Sequence, residues 1–124
     1  MTAQLFALAD EDLETARLLL DNVRYRACIS RAYYAMYYGT QALLNTKEIA
    51  NRTHKGMIQQ FSLHFVKPGD FSAEMSKQLG DMYDLRQLSD YEADVAINQE
   101  QAEQALVIAV EFVGQVKGYL ESGS

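Results

Sequence analysis

Residues Arg24 to Asn45 read RYRACISRAYYAMYYGTQALLN, and this stretch decides the fold. It contains no proline and one glycine, Gly39, so nothing breaks a helix that would be about 33 Å long at 1.5 Å per residue. Ile29, Tyr33, Tyr37, Thr40 and Leu44 trace one face; Tyr34, Tyr38 and Ala42 trace another. A helix that is apolar on nearly every side belongs in the middle of a bundle or in a dimer interface. Gly39 costs about 1 kcal/mol of helix propensity relative to Ala, and close approach of another backbone is its expected use.

The flanking sequence supplies the neighbours of this helix. Upstream, Phe6, Ala9, Leu13, Ala16 and Leu20 recur at steps of three and four, with Glu11, Asp12 and Glu14 off the stripe and a break at Asp21-Asn22. Downstream, Thr46 to Arg52 reads as a polar loop. Thr53 then caps a helix over His54 to Val66 with Met57, Ile58, Phe61 and Phe65 on its apolar side. Lys67-Pro68-Gly69-Asp70 is a turn by composition. Ser72 is an N-cap for a fourth helix, with Glu74 in its first turn and Met75, Leu79, Met82 and Leu85 or Arg86 along it. Ser89 to Asn98 is polar and acidic, so the fourth helix is expected to end ahead of it. Asn98-Gln99-Glu100-Gln101 is close to a capping box, opening a last helix striped by Ala102, Ala105, Leu106, Ala109, Val113, Val116 and Leu120. The few glycines are expected mostly at element ends, and no segment alternates with period two. The expected fold class is all-α: an up-and-down bundle of four to five helices forming one domain over residues 1–124.

Composition narrows the function. At 124 residues and 48% hydrophobic content the chain can build a real core, burying roughly two-thirds of its unfolded surface. The single cysteine, Cys28, excludes an intramolecular disulfide and fits a reducing, cytoplasmic compartment. The start, Met1-Thr2-Ala3-Gln4, lacks the pattern of a signal peptide, and no apolar run reaches the length of a membrane span. A formal net charge of -6 argues against nonspecific duplex-DNA binding. There is no phosphate loop, no Gly-x-Ser-x-Gly, and no Cys or His spacing that suits zinc, His54 and His64 being ten residues apart. No metal and no cofactor is expected.

Three features carry chemistry. The run Arg31-Ala32-Tyr33-Tyr34-Ala35-Met36-Tyr37-Tyr38 sets four tyrosines on two neighbouring faces. It reads as core packing, as a stacking platform for nucleotide bases beside an arginine, or as an aromatic dimer interface. Arg31 lies mid-helix among apolar neighbours and needs a carboxylate or an anionic ligand; Asp90 is the expected partner. Third, Leu85-Arg86-Gln87-Leu88-Ser89-Asp90-Tyr91-Glu92 joins an arginine, a carboxylate and a tyrosine near a helix end. There Arg86 could simply complement the helix dipole, or grip a phosphate while Asp90 or Tyr91 moves a proton.

In order along the chain, an early helix leads into Arg24-Tyr25-Arg26-Ala27. There follow Ser30-Arg31-Ala32-Tyr33-Tyr34-Ala35-Met36-Tyr37-Tyr38, Thr53-His54-Lys55-Gly56, Phe65-Val66-Lys67, Arg86-Gln87-Leu88-Ser89-Asp90-Tyr91, and a last helix with Ala105, Ala109 and Phe112-Val113. This ordered combination resembles the HEPN superfamily, from about Leu13 to Leu120, and within it a branch of small stand-alone prokaryotic proteins. The resemblance implies a helical bundle, usually a homodimer, encoded beside a minimal nucleotidyltransferase. In such modules the HEPN protein is often an RNA-cleaving toxin whose partner is the antitoxin. Ribonuclease members carry an arginine, four to six residues, then a histidine; the RNA 2′-hydroxyl attacks, so no metal is needed. Here Arg86 fits the arginine, but Tyr91, Glu92 and Ala93 occupy the histidine positions, so the branch motif is Arg-x-x-x-Asp-Tyr.

The expected function is therefore a HEPN partner of a minimal nucleotidyltransferase in a toxin–antitoxin-type module, binding nucleotide or RNA. The alternatives are an active metal-independent endoribonuclease toxin and a purely structural dimerisation module. Arg86, Asp90 and Tyr91 are the candidate catalytic residues; Arg31, Tyr34 and His54 are the candidate nucleotide- or RNA-binding residues.

Overall fold

In the computed structural model, which describes residues 1–123, the chain is an all-helical up-and-down bundle. Its elements are α1 (Thr2–Asp21), α2 (Tyr25–Thr46), α3 (His54–Phe61), a π-helical turn (Ser62–Val66), α4 (Ala73–Tyr91) and α5 (Gln99–Glu121). The tyrosine-rich stretch forms α2 and lies at the centre, in contact with α1, α3, α4 and α5. Cys28, Ile29, Ala32, Tyr33, Ala35, Met36, Ala42, Leu43 and Leu44 are all fully buried. That explains why the helix is apolar around most of its circumference.

The caps form where the side chains dictate. The Thr53 hydroxyl accepts the Gly56 N–H, Ser72 accepts from Met75, and Asn98 and Gln101 close a full capping box on α5. Each cap satisfies an N–H that the first helical turn leaves orphaned. Glycine plays less of a part in ending helices than expected. Gly39, Gly56, Gly80, Gly114 and Gly118 lie inside helices, and α1 and α2 instead end through Val23 (φ 63°) and Glu48 (φ 56°). In both, the next N–H reaches back to a carbonyl inside the helix, Arg24 to Leu19 at 2.8 Å and Ile49 to Leu44 at 3.1 Å, which rewards the left-handed residue with an otherwise orphaned acceptor.

Four further expectations are corrected. The helix from His54 does not run unbroken to Val66; its last turn is π-helical, closed by Lys67 N–H to Ser62 C=O at 2.8 Å. The cause is Pro68, which has no N–H to give to the His64 carbonyl in the α pattern; Lys47 Nζ donates to that carbonyl instead, at 3.2 Å. Secondly, α4 continues through Ser89, Asp90 and Tyr91. The Ser89 hydroxyl bonds back to Leu85 C=O at 2.9 Å and Ser89 is buried, so the helix runs three residues into the polar stretch before the loop from Glu92 begins. Thirdly, Gly39 does not admit another backbone. A Cβ placed there would meet the Val113 side chain at an ordinary 3.7 Å. Lastly, Asp12 is not off the buried side of α1; it is 8% exposed. Among the described residues no helix is long and apolar enough to cross a membrane.

Candidate functional site

The continuation of α4 matters because it puts Arg86 and Asp90 four residues apart on one helical face. Arg86 Nε lies 2.9 Å from Asp90 Oδ2, with side-chain exposures of 11% and 30%. The Nε–H is aimed off that oxygen and has no aligned acceptor, so the contact is an ion pair without a linear hydrogen bond. Asp90 Oδ1 accepts from the Ser30 hydroxyl at 2.6 Å, tying α4 to α2.

Arg31 does not pair with Asp90. Its Nη1 donates to Asp12 Oδ1 on α1 at 3.0 Å. Asp90 is already engaged by Arg86 and Ser30, and Asp12 is presented by the helix that packs along α2. Burial of Asp12 pushes its pKa above the usual carboxylate value, only partly countered by Arg31.

The arginines converge on one ring. The Arg31 guanidinium lies 5.0 Å from the centroid of Tyr34, and that of Arg86 lies 5.2 Å from it. Arg86 is also 5.9 Å from the Tyr33 ring and 5.8 Å from the Tyr91 ring, all within cation–π range. Tyr91, the last residue of α4, is 70% exposed. Arg86 Nη1 is held by Gln87 Oε1 at 3.2 Å. Nη2 of Arg86 and Nη2 of Arg31 have no hydrogen-bond partner among the described residues.

His54, the first residue of α3, joins the same cluster. Its Nδ1 is 2.5 Å from the Tyr33 hydroxyl, and its ring stacks on Tyr83 at 5.5 Å and 24°. Tyr37 and Tyr34 stand 5.1 and 6.1 Å away. Burial, and then the positive charge of Arg86, push the imidazole pKa below its ordinary value; burial pushes the Tyr33 phenol well above its own. Both groups are neutral near pH 7. The Tyr83 hydroxyl accepts from Gln87 Nε2 at 3.2 Å, so Gln87 and Tyr83 connect the Arg86 guanidinium to the imidazole. Cys28 takes no part: its thiol is buried and pushed up to about 11, far from a thiolate at neutral pH.

All six residues singled out by sequence thus sit in one continuous patch. The HEPN domain family matches residues 2–119. The chain belongs to the HEPN family. It is similar to the protein named "Putative toxin MJ0142" of Methanocaldococcus jannaschii, 34% identical over 96% of this chain and 81% of that one. It is also similar to "Putative toxin MJ0605" of the same organism, 35% identical over 94% and 87% of the two chains. A "UPF0332 protein" of Thermotoga maritima is 32% identical over 91% and 86%.

Several residues of this HEPN domain that shape the patch escape sequence reading. Arg26 is foremost. Its guanidinium donates to the carbonyls of Ser89, Glu92, Ala93 and Val95, with Glu92 at 3.0 Å, and so caps the C-terminus of α4 and the loop beyond it. Arg26, Ser30 and Asp12 act on partners 19 to 69 residues away, and nothing local announces those pairings. Tyr83 and Gln87 had a detectable signal, since Tyr83 lies three residues from Arg86 and four from Gln87 on one helix. Among the described residues no group of three or more His, Cys, Asp or Glu side chains could hold a metal. The patch offers fixed cations, stacking faces and a neutral imidazole, which are the means to bind and position a phosphate-bearing, base-bearing ligand.

Proposed function

We propose that this HEPN protein, working as one domain over residues 1–124, is the toxin-side member of a two-gene module. Its partner is a minimal nucleotidyltransferase encoded beside it, and it binds nucleotide or RNA as a homodimer. One observation carries the binding reading: two guanidiniums converge on Tyr34, each keeping an Nη2 without a hydrogen-bond partner among the described residues. Stacking rings and charge-assisted donors together suit single-stranded nucleic acid. The names of the two Methanocaldococcus proteins support the toxin side of the reading. In this arrangement Arg86 contacts phosphate, Asp90 fixes Arg86, and Tyr91 supplies an exposed ring and hydroxyl; Arg31, Tyr34 and His54 complete the binding face.

The test has two arms. The product of the adjacent gene is expected to co-purify with this protein, and an unrelated neighbour or no complex would count against the module. A short single-stranded oligoribonucleotide is expected to bind, with Arg86→Ala weakening it about tenfold or more, the loss of a charge-assisted contact.

A second reading, a metal-independent endoribonuclease, is favoured by His54. The branch motif lacks histidine, yet His54 from α3 brings a neutral imidazole into the Arg86 patch, in the protonation state a general base requires. On this reading induced expression arrests growth, and both Arg86→Ala and His54→Ala relieve the arrest. Arrest that survives both substitutions rules it out.

A further inference from the structure

Beside the arginine patch lies a recess of about 360 Å³, bounded by Tyr37, Tyr38, Gln41 and Asn51, with Leu5 and Ile49 closing its apolar side. That volume is in the range of small-ligand sites. We propose that this recess is a nucleobase pocket, taking the base of a nucleotide whose phosphate lies on Arg31 and Arg86. The proposal rests on the nucleotide- or RNA-binding reading above and adds which part of the ligand is recognised, and where.

Three features of the recess carry it. The rings of Tyr37 and Tyr38 stand 5.3 Å apart at 75°, so a planar guest stacked on one ring meets the edge of the other, the favoured aromatic geometry. The Gln41 and Asn51 amides form a reciprocal pair, Gln41 Nε2 to Asn51 Oδ1 at 3.0 Å and Asn51 Nδ2 to Gln41 Oε1 at 2.9 Å. Each amide has two N–H donors and two acceptor lone pairs, so each spends one of each on its partner and retains one of each. It is satisfied when the recess is empty and still presents donors and acceptors matching the Watson–Crick edge of an unstacked base. Finally, Tyr34 bridges the two regions: its ring is 5.7 Å from Tyr37 and 6.4 Å from Tyr38, and 5.0 and 5.2 Å from the two guanidiniums. Base and phosphate therefore fall on either side of a single tyrosine.

The test uses a short single-stranded oligoribonucleotide carrying 2-aminopurine at one position, whose fluorescence is quenched on stacking. Free AMP and UMP serve as competitors and an abasic version of the strand as a control. In the wild-type protein quenching is expected on binding, and the abasic strand is expected to bind about tenfold more weakly, the worth of one stacked base. Tyr38→Leu keeps apolar bulk and removes the stacking face, and should abolish the quenching. The Gln41→Leu, Asn51→Leu double variant should retain binding but lose any preference among adenine, uracil, cytosine and guanine homopolymers. Competition by free AMP or UMP as strong as by the strand assigns the pocket to mononucleotides; competition by the strand alone assigns it to RNA. If the wild type binds the strand and Arg86→Ala weakens it, but the abasic strand and Tyr38→Leu change nothing, the pocket is wrong and the binding reading stands. If the wild type binds neither strand nor mononucleotide, both are wrong. Circular-dichroism melts of each variant establish that losses are not unfolding.

Discussion

Phe61, Phe65, Phe71 and Phe112 meet with ring centroids 5.7 to 6.3 Å apart. Tyr33, Tyr34, Tyr37, His54 and Tyr83 meet at 5.1 to 6.4 Å. The packing distances are alike and the chemistry is opposite. Phe61, Phe65 and Phe112 are fully buried, and that cluster is a core held by apolar area, touched by charge only where Lys47 Nζ lies 4.3 Å from the centre of the Phe65 ring. In the tyrosine cluster only Tyr33 is fully buried, and its hydroxyl meets the His54 imidazole; the other members are partly exposed, the Tyr83 hydroxyl meeting the Gln87 amide and the Tyr34 ring meeting two guanidiniums. An aromatic patch becomes a candidate site when its rings keep polar partners and one edge in solvent. Ring packing by itself does not distinguish the two.

The comparison breaks first at the phenylalanine cluster. Phe61→Ala should cost about 3 to 5 kcal/mol, the transfer term plus the cavity left among rings that cannot close on it. It should lower the melting temperature more than any substitution in the tyrosine cluster. Oligoribonucleotide affinity per folded molecule should not change. An affinity loss with stability intact would mean that the two clusters are not independent.

How far sequence reaches follows the same division. The helices were legible because burial imposes a 3.6-residue period, and Thr53, Ser72 and Asn98 cap where their side chains require. The Arg86–Asp90 contact is legible from spacing once α4 is known to continue, but the polar run after Ser89 disguises that continuation. Arg31 needed a carboxylate, and the choice of Asp12 over Asp90 depends on how α1 is rotated against α2, which no local pattern records. The π-helical turn depends on Pro68 together with Lys47, a residue from a different part of the chain. What stayed hidden are pairings between elements; what was readable are properties of one element.

Arg26 sharpens the comparison at intermediate cost. Its nearest counterpart in the phenylalanine cluster is Lys47, which lies over the Phe65 ring and donates to a single carbonyl, that of His64. Arg26→Met keeps the aliphatic stem and removes donors to the four carbonyls of Ser89, Glu92, Ala93 and Val95. The contacts to Ser89 and Val95 are partly buried, and leaving such acceptors unpaired costs about 1 to 3 kcal/mol. The distinguishing measurement is local: amide hydrogen exchange over residues 89–95 should accelerate while Phe61 and Phe112 stay protected. Uniform acceleration along the chain would make Arg26 an ordinary contributor to stability and not the residue that holds Asp90 and Tyr91 in place.

The smallest expected effect is one that only the tyrosine cluster can show, because among the described residues no group packed on the phenylalanine rings is a histidine or a carboxylate. His54 has a folded pKa below its ordinary 6.5, so between the two values the unfolded chain binds more protons than the folded one. Stability then rises with pH in that window. The contribution is fully present above the ordinary value, is lost as pH falls through it, and levels off below the folded value. Asp12, whose pKa is raised by burial, acts with opposite sign but nearer its ordinary 3.8, so it leaves the upper window to His54. Melting temperature should therefore fall from about pH 7.5 to about pH 5.5, and His54→Gln should remove that slope. Tyr33→Phe deletes the hydroxyl beside Nδ1 but leaves the burial and the Arg86 charge that depress the imidazole, so it should lower stability at every pH and keep the slope. If Tyr33→Phe abolishes the slope instead, the hydrogen bond rather than burial and Arg86 controls the imidazole, and the neutral base of the second functional reading depends on Tyr33.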